Sequence, residues 1–70
     1  MKRADIERAV EIAHSFEKGT IKLSKTGGFW YWSGEHTHGF SEACTFSTTL
    51  DDMSVEQWVE DFQMKREQSL

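Results

Sequence analysis

The most chemically suggestive spacing in this chain is His36-Thr37-His38. On an extended backbone residues i and i+2 point the same way, so both imidazoles would reach one metal ion. Cys44, Glu35 and Glu42 are near enough in sequence to add ligands, and His14 is the third histidine. Structural zinc sites are built from paired Cys-x-x-Cys or comparable spacings, and this chain has a single cysteine. His36, His38 and Cys44 therefore stand as candidate metal ligands, while the expectation is two solvent-facing loop histidines and no cofactor.

Cys44 would need a histidine base to act as a nucleophile. A lone cysteine among Ala43, Thr45 and Phe46 reads instead as a small buried hydrophobe. The carboxylate pairs Asp51-Asp52 and Glu60-Asp61 are sequence neighbours, and adjacent residues on a helix do not share a face. Gly27-Gly28 is not followed by the Lys-Ser or Lys-Thr of a phosphate loop. A chain of 70 residues also has difficulty enclosing a typical ligand pocket of about 300–1,000 Å³. These residues predict a protein that is not an enzyme.

The elements that position these groups form one domain spanning residues 1–70. A chain this short buries roughly 60% of the surface it exposes when unfolded. Without an internal disulfide it must hold by packing alone. No apolar run approaches the roughly 18 residues of a membrane span. Met1-Lys2-Arg3-Ala4-Asp5 leads into no apolar stretch, so no secretory signal is read and a cytoplasmic location is expected.

Apolar residues Ile6, Ala9, Val10, Ile12, Ala13 and Phe16 fall on one side of a helix predicted from Asp5 to Lys18, with Arg3, Glu7, Arg8 and Glu11 on the remainder. Gly19 supplies its stop. Thr20 to Lys25 alternates as a strand, Thr26-Gly27-Gly28 turns, and Phe29 to Trp32 returns as a second strand. A two-residue Gly27-Gly28 loop sets Thr26 opposite Phe29, Lys25 opposite Trp30, Ser24 opposite Tyr31 and Leu23 opposite Trp32. Ile21, Leu23, Trp30 and Trp32 then share the core face; Lys22, Ser24, Phe29 and Tyr31 share the other. Residues 33–42 form a polar loop, and Ala43 to Thr49 is a third strand with Cys44 and Phe46 inward. Ser54 and Gln57 make a capping box, with Met53 and Trp58 placed as a hydrophobic staple, for a helix from Val55 to Gln68. Val55, Trp58, Val59 and Phe62 form its apolar stripe. The fold class is α+β, with helices packed on one face of an antiparallel sheet.

Charge and aromatic content point to the function. Residues 1–28 carry +2 and residues 29–70 carry −6, with no Lys or Arg between Lys25 and Lys65. That balance argues against direct nucleic-acid binding, which needs Lys and Arg to displace phosphate counterions. Phe29 and Tyr31 are expected to stay exposed with Phe40 nearby, and Glu56 and Glu60, with Glu67 and Met64, line the outer side of the second helix. Tyr, Trp and Phe dominate interface hot spots. The expected function is a small accessory or inhibitory factor whose acidic and aromatic surface, Phe29, Tyr31, Phe40, Glu56, Glu60 and Met64, docks on a basic protein partner. Anti-defence and other mobile-element proteins of this size act in this way, an analogy resting on size and charge alone. The alternative is a small-ligand or metal-binding module using the aromatic strand and the His36/His38 loop. A homodimer seamed by Phe29 and Tyr31 is compatible with either.

Overall fold

The computed structural model describes residues 1–37, 40, 44–46 and 49–69. In chain order the elements are α1 (Arg3–Ala13), β1 (Ile21–Thr26), β2 (Phe29–Gly34), β3 (Cys44–Phe46), a 3-10 turn (Leu50–Asp52) and α2 (Val55–Gln68). The antiparallel sheet has the order β1-β2-β3, with both helices on one face.

Gly27 and Gly28 both take positive φ, +58° and +87°, the requirement of a type I′ hairpin turn. Strand pairing follows as expected: Thr26 with Phe29, Lys25 with Trp30, Ser24 with Tyr31 and Leu23 with Trp32. Ile21, Leu23, Trp30 and Trp32 are buried together with Ile6, Val10, Phe40, Trp58 and Phe62. The Trp58 ring meets both Trp30 and Trp32 edge-on, each at 6.2 Å between centroids. At Gly34 a Cβ would overlap the Thr20 carbonyl oxygen, so only glycine lets the chain leave β2 that close to the start of β1.

Helix α1 differs from its expected span. It ends at Ala13, with His14 as its C-cap, rather than at Lys18. Ser15 takes φ +60°, Phe16 N–H donates to the Glu11 carbonyl at 2.7 Å and Ser15 N–H to that of Ile12 at 3.2 Å. This is a Schellman stop with serine at the left-handed position where glycine is usual. It turns Phe16 back onto Phe62, ring centroids 6.1 Å apart, and that aromatic contact offsets the backbone strain.

The faces of α1 differ as well. Glu11, assigned by sequence to the polar remainder, is buried, while Ile12 is 63% exposed. The reason is the sheet edge. In a two-residue hairpin the backbone N–H groups of Ile21 and Leu23 point away from β2. Glu7 Oε2 accepts from Leu23 N–H at 2.8 Å, and Glu11 Oε2 accepts from Ile21 N–H at 3.2 Å and Gly19 N–H at 2.9 Å. Two carboxylates four residues apart thus satisfy an edge strand's donors and close that edge to further pairing. Burial raises the Glu11 pKa, but the Ile21 and Gly19 N–H groups and the Arg8 guanidinium together hold it below its ordinary 4.5.

Helix α2 starts as its sequence indicates. Gln57 N–H donates to Ser54 Oγ at 3.2 Å and Ser54 N–H to Gln57 Oε1 at 2.8 Å, and Met53 packs on the core cluster. The described part of the third strand is Cys44–Phe46; residues 43, 47 and 48 of the expected strand lie outside the described residues.

Candidate functional site

Strand β3 pairs with β2 so that Trp30 sits opposite Thr45, Phe29 opposite Phe46 and Tyr31 opposite Cys44. Side chains alternate across a strand, and Trp30 faces the helices. Thr45 therefore faces the helices too, while Cys44 and Phe46 point to the open side, reversing the expected inward placement of these two residues. A polar Thr45 is tolerated inside because a polar group receives it. Asp61 Oδ2 accepts from Thr45 Oγ1 at 2.9 Å, Trp32 Nε1 at 2.9 Å and Lys65 Nζ at 3.0 Å, and Lys65 also donates to Thr45 Oγ1. Strands β2 and β3 are tied to α2 through one carboxylate oxygen.

The open face that results carries Lys22, Ser24 and Thr26 from β1, Phe29, Tyr31 and Ser33 from β2, and Cys44 and Phe46 from β3. Phe29 and Tyr31 are half-buried, Cys44 is exposed and Phe46 is 82% exposed. Phe29 and Phe46 meet edge-on at 4.5 Å, so the rings make one patch rather than scattered residues. The three strands contain no Asp or Glu. Lys25 is paired with Trp30 and belongs to the other face, its Nζ 5.4 Å from the Trp30 ring. Lys22 is thus the one charged strand residue on the aromatic side.

The sequence pattern sets Phe46 inward and so leaves it out of the contact surface, because the long polar connection between β2 and β3 does not set their register. Phe40 corrects in the opposite direction. It is 4% exposed, its ring 5.2 Å from Phe62, so it is core and absent from the surface patch. Its N–H donates to the Thr37 carbonyl at 3.3 Å, and Thr37 Oγ1 donates to the Gly34 carbonyl at 2.8 Å. Thr37 and Phe40 are both buried there.

Glu56, Glu60 and Met64 are exposed on α2, Met64 at 52%. They project from the side of the helix opposite Trp58 and Phe62, which pack on the sheet. The acidic ridge and the aromatic patch consequently face opposite sides of the molecule, with α2 and the sheet between them. The expected single acidic and aromatic surface is two surfaces.

The histidines also separate from Cys44. His36 stacks on Phe16 at 3.8 Å with 12° between planes, and His14 stacks on Phe16 at 5.3 Å. Both belong to the helix side, and His38 lies outside the described residues. No cluster of three His, Cys, Asp or Glu side chains arranged for a metal occurs among the described residues. His14 Nδ1 accepts from Arg66 Nη1 at 3.2 Å, because a guanidinium has only donors. Burial, followed by the neighbouring Arg66 charge, holds the His14 pKa below its ordinary 6.5.

Among the described residues this surface is a set of rings with one lysine, one thiol and hydroxyl groups around them. Comparison with protein families, with curated proteins and with solved structures gave no match to this chain.

Proposed function

We propose that this chain is a non-enzymatic protein-interaction module, a small accessory or inhibitory factor that docks on a protein partner through the open face of its sheet. The observation that carries this reading is Phe46, 82% exposed beside Phe29 and Tyr31 on strands that hold no carboxylate. Interface cores are depleted in charge and enriched in Tyr and Phe, and truncating a central aromatic anchor typically weakens binding by about 2 kcal/mol or more.

The test is partner capture from native lysate with the wild-type chain, Phe46→Ser and Tyr31→Ser, each first shown to be folded. Washing at about 0.1 M and then 0.5 M salt shortens the screening length from about 10 Å to below 5 Å. A stoichiometric partner that survives high salt and is lost with Phe46→Ser is the expected result. A partner that washes off in salt, ignores Phe46→Ser and is released by charge reversal at Glu56 and Glu60 would move the contact to the acidic ridge of α2. It would then be the basic protein that the charge distribution favours, and the sheet-face reading would be overturned.

A further inference from the structure

We infer that the cleft between the end of α1 and the last two turns of α2 is a binding site for a small monocarboxylate, seated on the Arg66 guanidinium. It lies on the helix side of the sheet and does not depend on docking at the aromatic face.

His14, Gln63, Arg66 and Glu67 line this cleft, whose volume is about 260 Å³. Gln63 stands three and four residues before Arg66 and Glu67, so the three share one side of α2. His14 joins them as the C-cap of α1. Arg66 and His14 are half-buried, whereas Gln63 and Glu67 are exposed.

Arg66 is held by groups that leave its charge unanswered. Its guanidinium carbon lies 5.2 Å from the centre of the Phe16 ring, and Nη1 donates to His14 Nδ1 at 3.2 Å. His36 stacks on the same Phe16 at 3.8 Å, which fixes the ring that carries the guanidinium. Neither partner of Arg66 is an anion. Among the described residues no carboxylate is ion-paired with it, in a chain with 12 acidic residues to 8 basic ones. Glu67, its neighbour, accepts instead from Gln63 Nε2 at 3.2 Å.

Donors are therefore in surplus. A guanidinium carries five N–H donors in a planar fork, and His14 takes one. Because His14 Nδ1 accepts, the neutral ring carries its hydrogen on Nε2, which is buried without a partner. A ligand rich in acceptors answers this surplus, and a carboxylate matches the fork with two parallel hydrogen bonds. Glu67 sets the charge limit. Arg66 balances one negative charge, and a second would meet the Glu67 carboxylate, which disfavours a phosphate dianion. The cleft is slightly smaller than a typical ligand pocket of about 300 Å³ or more. The ligand is accordingly small and weakly held, with Kd on the order of 1 mM.

The test is an NMR titration of the full chain, following backbone and side-chain N–H shifts at neutral pH and constant ionic strength. Benzoate is the probe, taken to about 20 mM to pass well beyond that Kd. The expected result is a saturable response confined to the Arg66 Nε–H, the Gln63 amide and the backbone around His14 and residues 63–67. Benzamide, the same ring without the charge, should give no saturable response, and inorganic phosphate should bind severalfold more weakly than benzoate. Arg66→Gln should abolish benzoate binding. Glu67→Gln should tighten benzoate severalfold and narrow its advantage over phosphate. Benzoate shifts that never saturate, that benzamide reproduces or that persist in a folded Arg66→Gln overturn the site. Should Arg66→Gln fail to fold, Glu67→Gln decides, and unchanged affinities for benzoate and phosphate overturn the site equally.

Discussion

The two faces of the sheet are furnished with similar residues and have opposite fates. On one, Trp30 and Trp32 lie under Trp58 and Phe62 and are almost wholly buried; on the other, Phe29, Tyr31 and Phe46 remain at the surface. Hydrophobicity alone does not choose between them. What distinguishes the buried face is the apolar area that the helices cover, together with acceptors for two of the three indoles packed there. Trp30 Nε1 is buried without a hydrogen-bond partner among the described residues. Trp32 Nε1 reaches Asp61 at 2.9 Å, and Trp58 Nε1 reaches the Leu50 carbonyl at 2.9 Å. A buried indole usually finds such an acceptor, and α2 and the turn before it supply one each for Trp32 and Trp58. Among the described residues no helix lies on the open face to offer the same, and two short helices cover only one side of a sheet.

The sharpest way to separate the faces is to truncate one ring from each. Trp32→Ala should destabilise the fold by about 3–5 kcal/mol, the usual result of emptying a buried aromatic site. Phe46→Ala should shift stability by no more than about 0.5 kcal/mol, as exposed substitutions do. Urea denaturation of both variants is the check. Comparable losses would mean that Phe46 is covered in the folded protein, which would break the contrast.

Asp61→Ala comes next. Asp61 and Lys65 side chains are 11% and 10% exposed, so removing the carboxylate strands a largely buried ammonium together with the Thr45 and Trp32 donors. Losing one partner of a buried pair costs about 3–5 kcal/mol, and the slight exposure here points to the lower end of that range. Replacing both Asp61 and Lys65 by apolar residues should recover part of the loss. Asp61→Ala should also loosen β3 and with it the placement of Phe46, so the aromatic patch depends on a polar group on the far side of the sheet. Amide exchange at Thr45 and Phe46 that stays at wild-type rates in Asp61→Ala would refute that dependence.

The hairpin, its register, its inward face and the start of α2 were legible because local chemistry decides them. Gly27-Gly28 sets the loop length, and a fixed loop length sets every cross-strand pair; Ser54 and Gln57 mark a helix start whatever lies beyond. The departures share a different cause. Glu11 and Ile12 exchanged roles because a helical wheel treats burial as apolar, whereas α1 lies against strand-edge donors that require a carboxylate. Ser15 ended α1 early because the gain comes from Phe16 meeting Phe62, a contact between residues distant in sequence. Cys44 and Phe46 turned outward because their facing follows from pairing with β2, which the connection between the strands does not specify. The patch was thus half readable: Phe29 and Tyr31 from the hairpin, Phe46 only from the assembled sheet, and Phe40 belonged to the core.

Acid should act on one face before the other. His14 has its pKa held below 6.5 in the folded chain, so between that lowered value and 6.5 the unfolded chain binds the extra proton. Stability is therefore full above pH 6.5 and falls as pH drops through the folded pKa. Protonation there also places a second donor against Arg66, which must then release Nδ1. Glu11, held below 4.5, repeats the pattern lower: its contribution is present above pH 4.5 and is lost as pH falls through its folded value. Both groups lie on the helix side, around α1, whereas among the described residues the strands expose no carboxylate or imidazole on the open face. Melting temperatures from pH 8 to pH 3 should decline in two stages, the upper removed by His14→Gln and the lower reduced by Glu11→Gln. Phe46→Ser should leave both stages in place. An upper stage that persists in His14→Gln would show that another group drives it, and one that disappears in Phe46→Ser would tie acid sensitivity to the face that should be indifferent to it.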